Sequence, residues 1–375
     1  MSPPKGRVAI LTSVHPAFDT RIFQKQARSL AAAGYDVTLV VPHPRDETVD
    51  GVKIRALPPA GSRLARMLLA PRRVLREAVR LRADVYHFHD PELIPVGLAL
   101  KARGARVIYD VHEDVPKSIL GKTYLPRSLV KPIAAGSRVV EQAASRAFDL
   151  VVLARDDIAG SFRHHPRTLL IRNYPSRAAF PDLARVERGD GNFLLAYTGG
   201  LTAGRGAVEM IEGLGRVPER CRARMVIFGK FWPDELETRV RGLPGFARVD
   251  YRGWVAYETL PAQLAGADAG IVCFLPEPNH VNAGPTKLFE YMASGLPVIA
   301  SDFPMWREVI EGNDCGLCVD PTDPEAIAAA ITQLADSPAR RIKMGENGRR
   351  AVERVYNWEA EAERLLGAYA RLLAG

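Results

Sequence analysis

Two α/β domains, each a doubly wound parallel sheet, are what this sequence predicts, and three observations carry the prediction. The chain has 375 residues, more than one hydrophobic core usually supports. Short apolar runs alternate with helical patterns, the signature of a parallel sheet covered on both faces. The alternation breaks once and then restarts. In the first half the runs are "RVAILT", "YDVTLVV", "DVYHFH", "ARVIYDV" and "DLVVLA". From Thr168 to Asn192 a strand gives way to a polar stretch rich in Pro, Arg and Gly, which reads as a connector. A second series follows: "FLLAYTG", "ARMVIFG", "ARVDYRG", "AGIVCFL", "LPVIAS" and "GLCVD". Beyond Pro324 the pattern is helical. The expected limits are a first domain over 1–173, a linker over 174–191, a second domain over 192–355 and a terminal helix over 356–375.

Composition excludes several classes. The hydrophobic fraction of 47% permits two full cores. No signal-peptide pattern is evident at the N-terminus and no stretch is long enough to span a bilayer. Four cysteines do not make a disulfide framework, and Cys315 and Cys318 form a lone "CGLC", so core thiols in a reducing cytoplasm are expected. The net charge of +8 is uneven: residues 1–173 hold 28 Lys and Arg against 16 Asp and Glu, a surplus of 12, which leaves the remainder at −4. Residues 61–82 carry seven arginines and one acid among apolar positions. That pattern suits either an anionic membrane face or a docked helix with a basic outer side. No aromatic interleaving points to nucleic acid.

The most informative segment is "NHVNAGPTKLFEYMASGLPVIASD", from Asn279 to Asp302. Asn282, Ala283 and Gly284 form a loop with little side chain in the way, and Pro285 and Thr286 open a helix whose unpaired amides and positive dipole end attract anions. Lys287 in the first turn opposes that dipole unless a negative ligand lies between them. Glu290, three residues on, shares its face and suits ribose hydroxyls. A solvated amphipathic helix would carry the same pair. "TGGLTAGRG", from Thr198 to Gly206, is a glycine-rich turn after a strand, with Arg205 placed to meet phosphate. Its glycines do not have dinucleotide-binding spacing, and "GKT" at Gly121–Thr123 is no P-loop because Pro116 stands where the first glycine belongs.

The helix at Pro285–Glu290 resembles the donor-binding signature of the retaining glycosyltransferases of family 4, which have the GT-B fold, and the likeness runs nearly end to end. The resemblance implies two Rossmann-like domains facing across a cleft, the first on the acceptor side and the second binding the nucleotide sugar, with the last helix crossing back to the first. It implies a nucleotide diphosphate sugar as co-substrate, no cofactor, and a glycan or lipid-linked acceptor. Glu290 matches the second glutamate of the family's pair, whereas Asn282 stands where the first would be. Arg205 matches the second of a basic pair, and Gly200 occupies the place of the first. Gly199, Lys230 and Leu288 join the donor-binding set, and Trp254 in "RGW" is expected beneath the base, unless it is core.

In the first domain His112 of "YDVHEDVP" ends a buried strand and matches the histidine that family members direct toward the donor sugar; Glu113 follows it. His15, Asp19 and Arg21 lie at the mouth of the first strand and, with His89 and Glu113, are expected on the acceptor side or cleft, shaping the acceptor pocket or the diphosphate floor, unless Asp19 or Thr20 simply caps the next helix. His87 and His89 have metal-chelating spacing but resemble the family's strand-ending loop, so no metal is expected. No aspartates stand two apart as in a manganese-holding DxD motif. Arg205, Lys287 and helix amides are then expected to meet the leaving diphosphate, with His112 orienting the sugar and Glu290 the ribose. The whole reading is a cytoplasmic, metal-independent retaining hexosyltransferase of the bacterial envelope, with an inner membrane face as a further expectation. A non-hydrolysing nucleotide-sugar 2-epimerase or a non-catalytic binding relative are the alternatives.

Overall fold

A computed structural model describes residues 3–58, 63–120, 126–183, 186 and 189–374. The "GKT" turn at 121–123, residues 61 and 62, and 184, 185, 187 and 188 of the expected linker lie outside them, as do the side chains of 63–68.

Among the described residues fourteen strands follow in chain order: β1 Arg7–Leu11, β2 Asp36–Pro42, β3 Glu47–Val49, β4 Val52–Leu57, β5 Val85–Phe88, β6 Arg106–Val111, β7 Leu150–Leu153, β8 Thr168–Leu170, β9 Phe193–Thr198, β10 Ala223–Phe228, β11 Val249–Gly253, β12 Ala269–Val272, β13 Val298–Ser301 and β14 Gly316–Val319. They form an eight-stranded sheet ordered β3-β4-β2-β1-β5-β6-β7-β8 and a six-stranded sheet ordered β11-β10-β9-β12-β13-β14. Pairing is parallel except where β3 meets β4 in an antiparallel hairpin, which the sequence reading does not single out.

The strands read as continuous apolar runs because both faces are covered. In β9, Phe193, Leu195 and Tyr197 enter one core cluster while Ala196 enters another; β10 divides Met225 and Ile227 from Val226 and Phe228 in the same way. Alternation is hidden when both sides are apolar. In each sheet the chain reverses direction of winding beside one strand: β1 lies between β2 and β5, and β9 between β10 and β12. Loops beyond the carboxyl ends of such strands diverge and leave room for a ligand.

The chain divides into one unit of Met1–Asn173 with Ala360–Gly375, and a second of Tyr174–Glu359. One boundary differs from those expected, and the expected return of the terminal helix to the first unit starts at Ala360 instead of 356. The stretch 174–191, read as a connector, belongs with the second unit and gives Tyr174 and Phe180 to its core. The last helix, Trp358–Ala374, joins the first unit from Ala360 onward, where Tyr369 is fully buried.

Candidate donor-binding and catalytic residues

In the second unit the helix Thr286–Ala293 starts after Pro285 with no side-chain cap. Its first-turn amides have no partner within the helix, apart from that of Leu288, which donates to the Pro285 carbonyl at 3.1 Å. Lys287 is 7% exposed, and its Nζ has no hydrogen-bond partner among the described residues. The ammonium lies 3.8 Å from the centroid of the Tyr197 ring and 5.4 Å from that of Phe274, so aromatic faces provide its stabilisation. Burial, and then the charge of Arg205, hold its pKa well below the usual lysine range despite Glu290. A buried cation without a carboxylate against it is costly unless a ligand supplies the negative charge.

Arg205 is aimed at the same place. Its Nη1 donates to the Gly200 carbonyl at 2.9 Å and its guanidinium lies 5.7 Å from the Phe274 centroid. The Tyr197 hydroxyl donates to the same carbonyl at 3.0 Å. Thr202 caps the turn by accepting from the Arg205 amide at 3.2 Å. Gly206 then has φ +67°, and a Cβ there would stand 1.9 Å from the Cys273 carbonyl oxygen, so only glycine lets the turn close against β12. Gly199, at φ +89°, would place a Cβ 3.5 Å from the Lys287 Nζ. The glycine-rich turn, Arg205 and Lys287 therefore form one patch.

Glu290 lies one turn further and is 6% exposed. Beside it the Tyr257 phenol is buried without a hydrogen-bond partner among the described residues, its pKa pushed well up by burial and then by Glu290. Asn282 and Gly284 are exposed, and the Trp306 indole nitrogen donates to the Ala283 carbonyl, fixing the loop. Lys230 is exposed and reaches the patch only through its backbone, whose carbonyl accepts from the Leu201 amide at 2.8 Å. Trp254, 69% exposed after the edge strand β11, is not core. Leu288 corrects the expected donor set: its side chain is 1% exposed in the core and its amide is already bonded.

The first unit is built on Asp110, a residue inside the "YDVHEDVP" motif that the sequence reading passes over. Arg21 forks onto it, Nε to Oδ2 at 3.2 Å and Nη2 to Oδ1 at 2.9 Å, and Gln26 donates to Oδ2 at 2.6 Å. Arg21 and Gln26 stand five apart on Thr20–Ala27, a wide helical segment in which the Gln24 amide reaches back to the Asp19 carbonyl. An ordinary α-helix would turn residues five apart about 140° away from each other; the i→i+5 pitch brings them to one carboxylate. Arg21 is thus corrected from pocket lining to a buried ion pair, 4% exposed, with a further bond to the Ile171 carbonyl. Burial opposes ionisation of Asp110, but Arg21 and then His112 hold its pKa well down.

Around this pair stand the histidines. His87 Nδ1 bonds the Tyr369 hydroxyl at 2.8 Å. His89 Nδ1 lies 3.1 Å from His112 Nε2 and 3.5 Å from Asp110 Oδ2, while its Nε2 is buried without a hydrogen-bond partner among the described residues. Burial, and then His87, lower the His89 pKa well below its ordinary value, so the ring is neutral. A proton on Nε2 would be an orphaned donor and would turn the Nδ1 lone pair toward a carboxylate. The proton therefore sits on Nδ1 and is given to His112 Nε2. His112 has a pKa of about 4, lowered chiefly by burial, so at neutral pH its single proton is on Nδ1.

His87, His89 and Asp110 offer ligand atoms within 4.8 Å of one another, the only such trio among the described residues. Arg21 and Gln26 already occupy the carboxylate, so a metal ion would have to displace a guanidinium. His15 joins the cluster, its ring 5.0 Å from that of His112 and its nitrogens 3.5 Å from Asp19 and 3.4 Å from Asp90. Burial works against the charged ring, but Asp19 and then Asp90 raise its pKa. Asp19 proves to be both partner and cap, accepting from the amides of Arg21 and Ile22. Asp90, also unforeseen, accepts from the Thr12 hydroxyl at 2.8 Å and the Ser13 amide at 2.5 Å. Glu113 is exposed.

Comparison with known proteins identifies the family. The family profile "Glycosyl transferase 4-like domain" matches residues 20–173 and "Glycosyl transferases group 1" matches 182–351. The phosphatidyl-myo-inositol mannosyltransferase of Mycobacterium leprae is 25% identical over 354 residues, 92% of this chain and 88% of that protein. The MMP alpha-(1->4)-mannosyltransferase of Mycolicibacterium hassiacum is 32% identical over 118 residues, 31% of this chain and 28% of that protein. Among solved structures, sucrose-phosphate synthase from Thermosynechococcus elongatus superposes with TM-score 0.79 at 19% identity, covering 99% of this chain and 100% of that one. The Anabaena protein HepE in complex with UDP-glucose does so with TM-score 0.69 at 14% identity, covering 98% and 100%. Two matching profiles in series, relatives aligned over most of the length and the shared fold lead to one conclusion: the chain belongs to glycosyltransferase family 4, sugar-transferring enzymes of GT-B fold that serve glycan and glycolipid synthesis.

Proposed function

We propose that the chain transfers a hexose, with retention, from a nucleoside diphosphate sugar to a glycan or lipid-linked acceptor, without a metal ion. The observation that carries this reading is the buried Lys287 ammonium, without a hydrogen-bond partner among the described residues, beside Arg205 and an uncapped helix N-terminus. A diphosphate supplies the two negative groups that this patch lacks. As the bond from the anomeric carbon to the phosphate oxygen breaks, charge grows on the leaving phosphate, and Lys287, Arg205 and the amides near Thr286 stabilise it. The acceptor hydroxyl bonds to the same face of that carbon and passes its proton to the departing phosphate, so no carboxylate nucleophile is required. His112, neutral with its proton on Nδ1, is suited to orient a sugar hydroxyl, and Glu290 to accept from the ribose. UDP is the first nucleotide to try, since HepE holds UDP-glucose.

No helix among the described residues is long and apolar enough to cross a membrane. The test is thermal melting with UDP, GDP, ADP and dTDP, each with EDTA present. A rise in Tm with at least one is expected; no rise with any overturns the metal-free diphosphate site. Incubation with the matching nucleotide sugar alone should give slow hydrolysis, whereas an epimerised sugar would mark an isomerase.

A further inference from the structure

In the first unit β5 and β6 are parallel neighbours, with Phe88 opposite Tyr109. Residues two apart along a strand share a face, so His87 and His89 leave one strand, and Asp110 and His112 the other, toward the same side of the sheet. The His89 amide donates to the Leu11 carbonyl at 3.2 Å, which fixes its backbone against β1. Its ring stacks on His87, centroids 4.7 Å apart, and meets His112 edge-to-face at 5.2 Å. The His89 side chain is fully buried, whereas that of His112 is 20% exposed.

Elsewhere in this unit a buried titratable group is paired: Glu141, on the helix Arg127–Ser145, accepts from the Tyr109 hydroxyl at 2.6 Å. His89 uses one nitrogen only. Burying Nε2 without a hydrogen-bond partner among the described residues destabilises the core, and a phenylalanine of similar size would avoid it. What phenylalanine could not supply is the proton on Nδ1.

That proton decides between two states of His112. His112 Nε2 lies 3.1 Å from His89 Nδ1, a donor, and 3.8 Å from Asp110 Oδ1, an acceptor. With His89 in place Nε2 accepts, and the His112 proton stays on Nδ1. Without it the carboxylate draws the proton onto Nε2, and Nδ1 becomes an acceptor. We propose that His89 is a positioning residue for the transfer: by donating to His112 Nε2 it fixes the tautomer in which His112 Nδ1 presents a proton to an oxygen of the donor sugar. The sugar enters through the proposed function, whereas the tautomer belongs to the chain alone.

The experiment uses the likeness of side-chain amides to halves of an imidazole. An asparagine amide reaches the place of Nδ1 and a glutamine amide that of Nε2. His89→Asn therefore keeps a proton toward His112 and His89→Gln does not, although glutamine is nearer to histidine in size. Two-bond nitrogen–proton spectra of the full chain at neutral pH report the tautomer, the His112 signals being those missing from His112→Gln. The wild type and His89→Asn should carry the proton on Nδ1, and His89→Gln on Nε2. With UDP-glucose or GDP-mannose, whichever the wild type hydrolyses, kcat/KM should fall about tenfold or more in His89→Gln and stay within about threefold in His89→Asn. The nucleotide-induced rise in Tm should persist in both. The proposal is overturned if the wild type holds the proton on Nε2, if His89→Gln leaves it on Nδ1, or if the glutamine variant is as active as the asparagine one. The spectra need no nucleotide, so failure of this assignment is separate from failure of the donor site.

Discussion

Arg21 and Lys287 are both buried cations on helical segments near the carboxyl ends of central strands, one in each unit, yet their surroundings are opposite. Arg21 has a carboxylate held by two of its nitrogens and a carbonyl on the third. Lys287 has two aromatic rings, a neighbouring Arg205 and no hydrogen-bond acceptor among the described residues. The first arrangement is complete within the chain and stiffens it. On the proposed function the second is completed by a diphosphate, so the cost of burying the lysine becomes affinity for that ligand. On that reading, compensated charge marks framework and uncompensated charge marks the place where chemistry is done.

The largest effect expected from that contrast is on folding. Arg21→Met leaves Asp110 without its guanidinium in the core and should cost about 3–5 kcal/mol in urea unfolding. Adding Asp110→Leu should recover much of the loss, and a small loss in the single variant would break the contrast. Next is Lys287→Met, which should lower kcat/KM by about 10²–10³ while leaving Tm equal or higher, since a buried unpaired cation is removed. A parallel fall in Tm would show Lys287 to be framework after all.

A smaller effect should come from Glu141, whose pKa burial raises to about 7. Its folded value lies above the unfolded one, so its contribution is fully present below about pH 4.5 and is lost as pH rises through 7. Glu141→Gln should therefore gain on the order of 1–2 kcal/mol at pH 8 and little at pH 5, as read from paired urea melts. An equal effect at both pH values would mean that the Tyr109 contact, and not ionisation, sets the difference.

Much of this was legible in advance, for physical reasons that differ by residue. The central strands announce themselves because two-sided burial leaves unbroken apolar runs, and Lys287 does so because a cation in a first turn contradicts the helix dipole. Arg205 and its glycines are equally local: a turn that must bring backbone within contact of another backbone has only one residue to use at Gly206. Asp110 was illegible, although it sits within a quoted motif, because its partners lie 89 and 84 residues away and converge only through the wide turn at Thr20–Ala27. Leu288 misled for the converse reason. Its neighbours Lys287 and Glu290 face the patch, but one step along a helix rotates a side chain by about 100°, here into the core.

The bond between His87 and Tyr369 joins positions 282 residues apart, so the histidine cluster beside Asp110 is closed by a helix that is translated after the second unit. Synthesis runs from the N-terminus, and domains ordinarily fold as they emerge. Here the unit begun first must wait, its final wall missing, until the whole second unit has been translated.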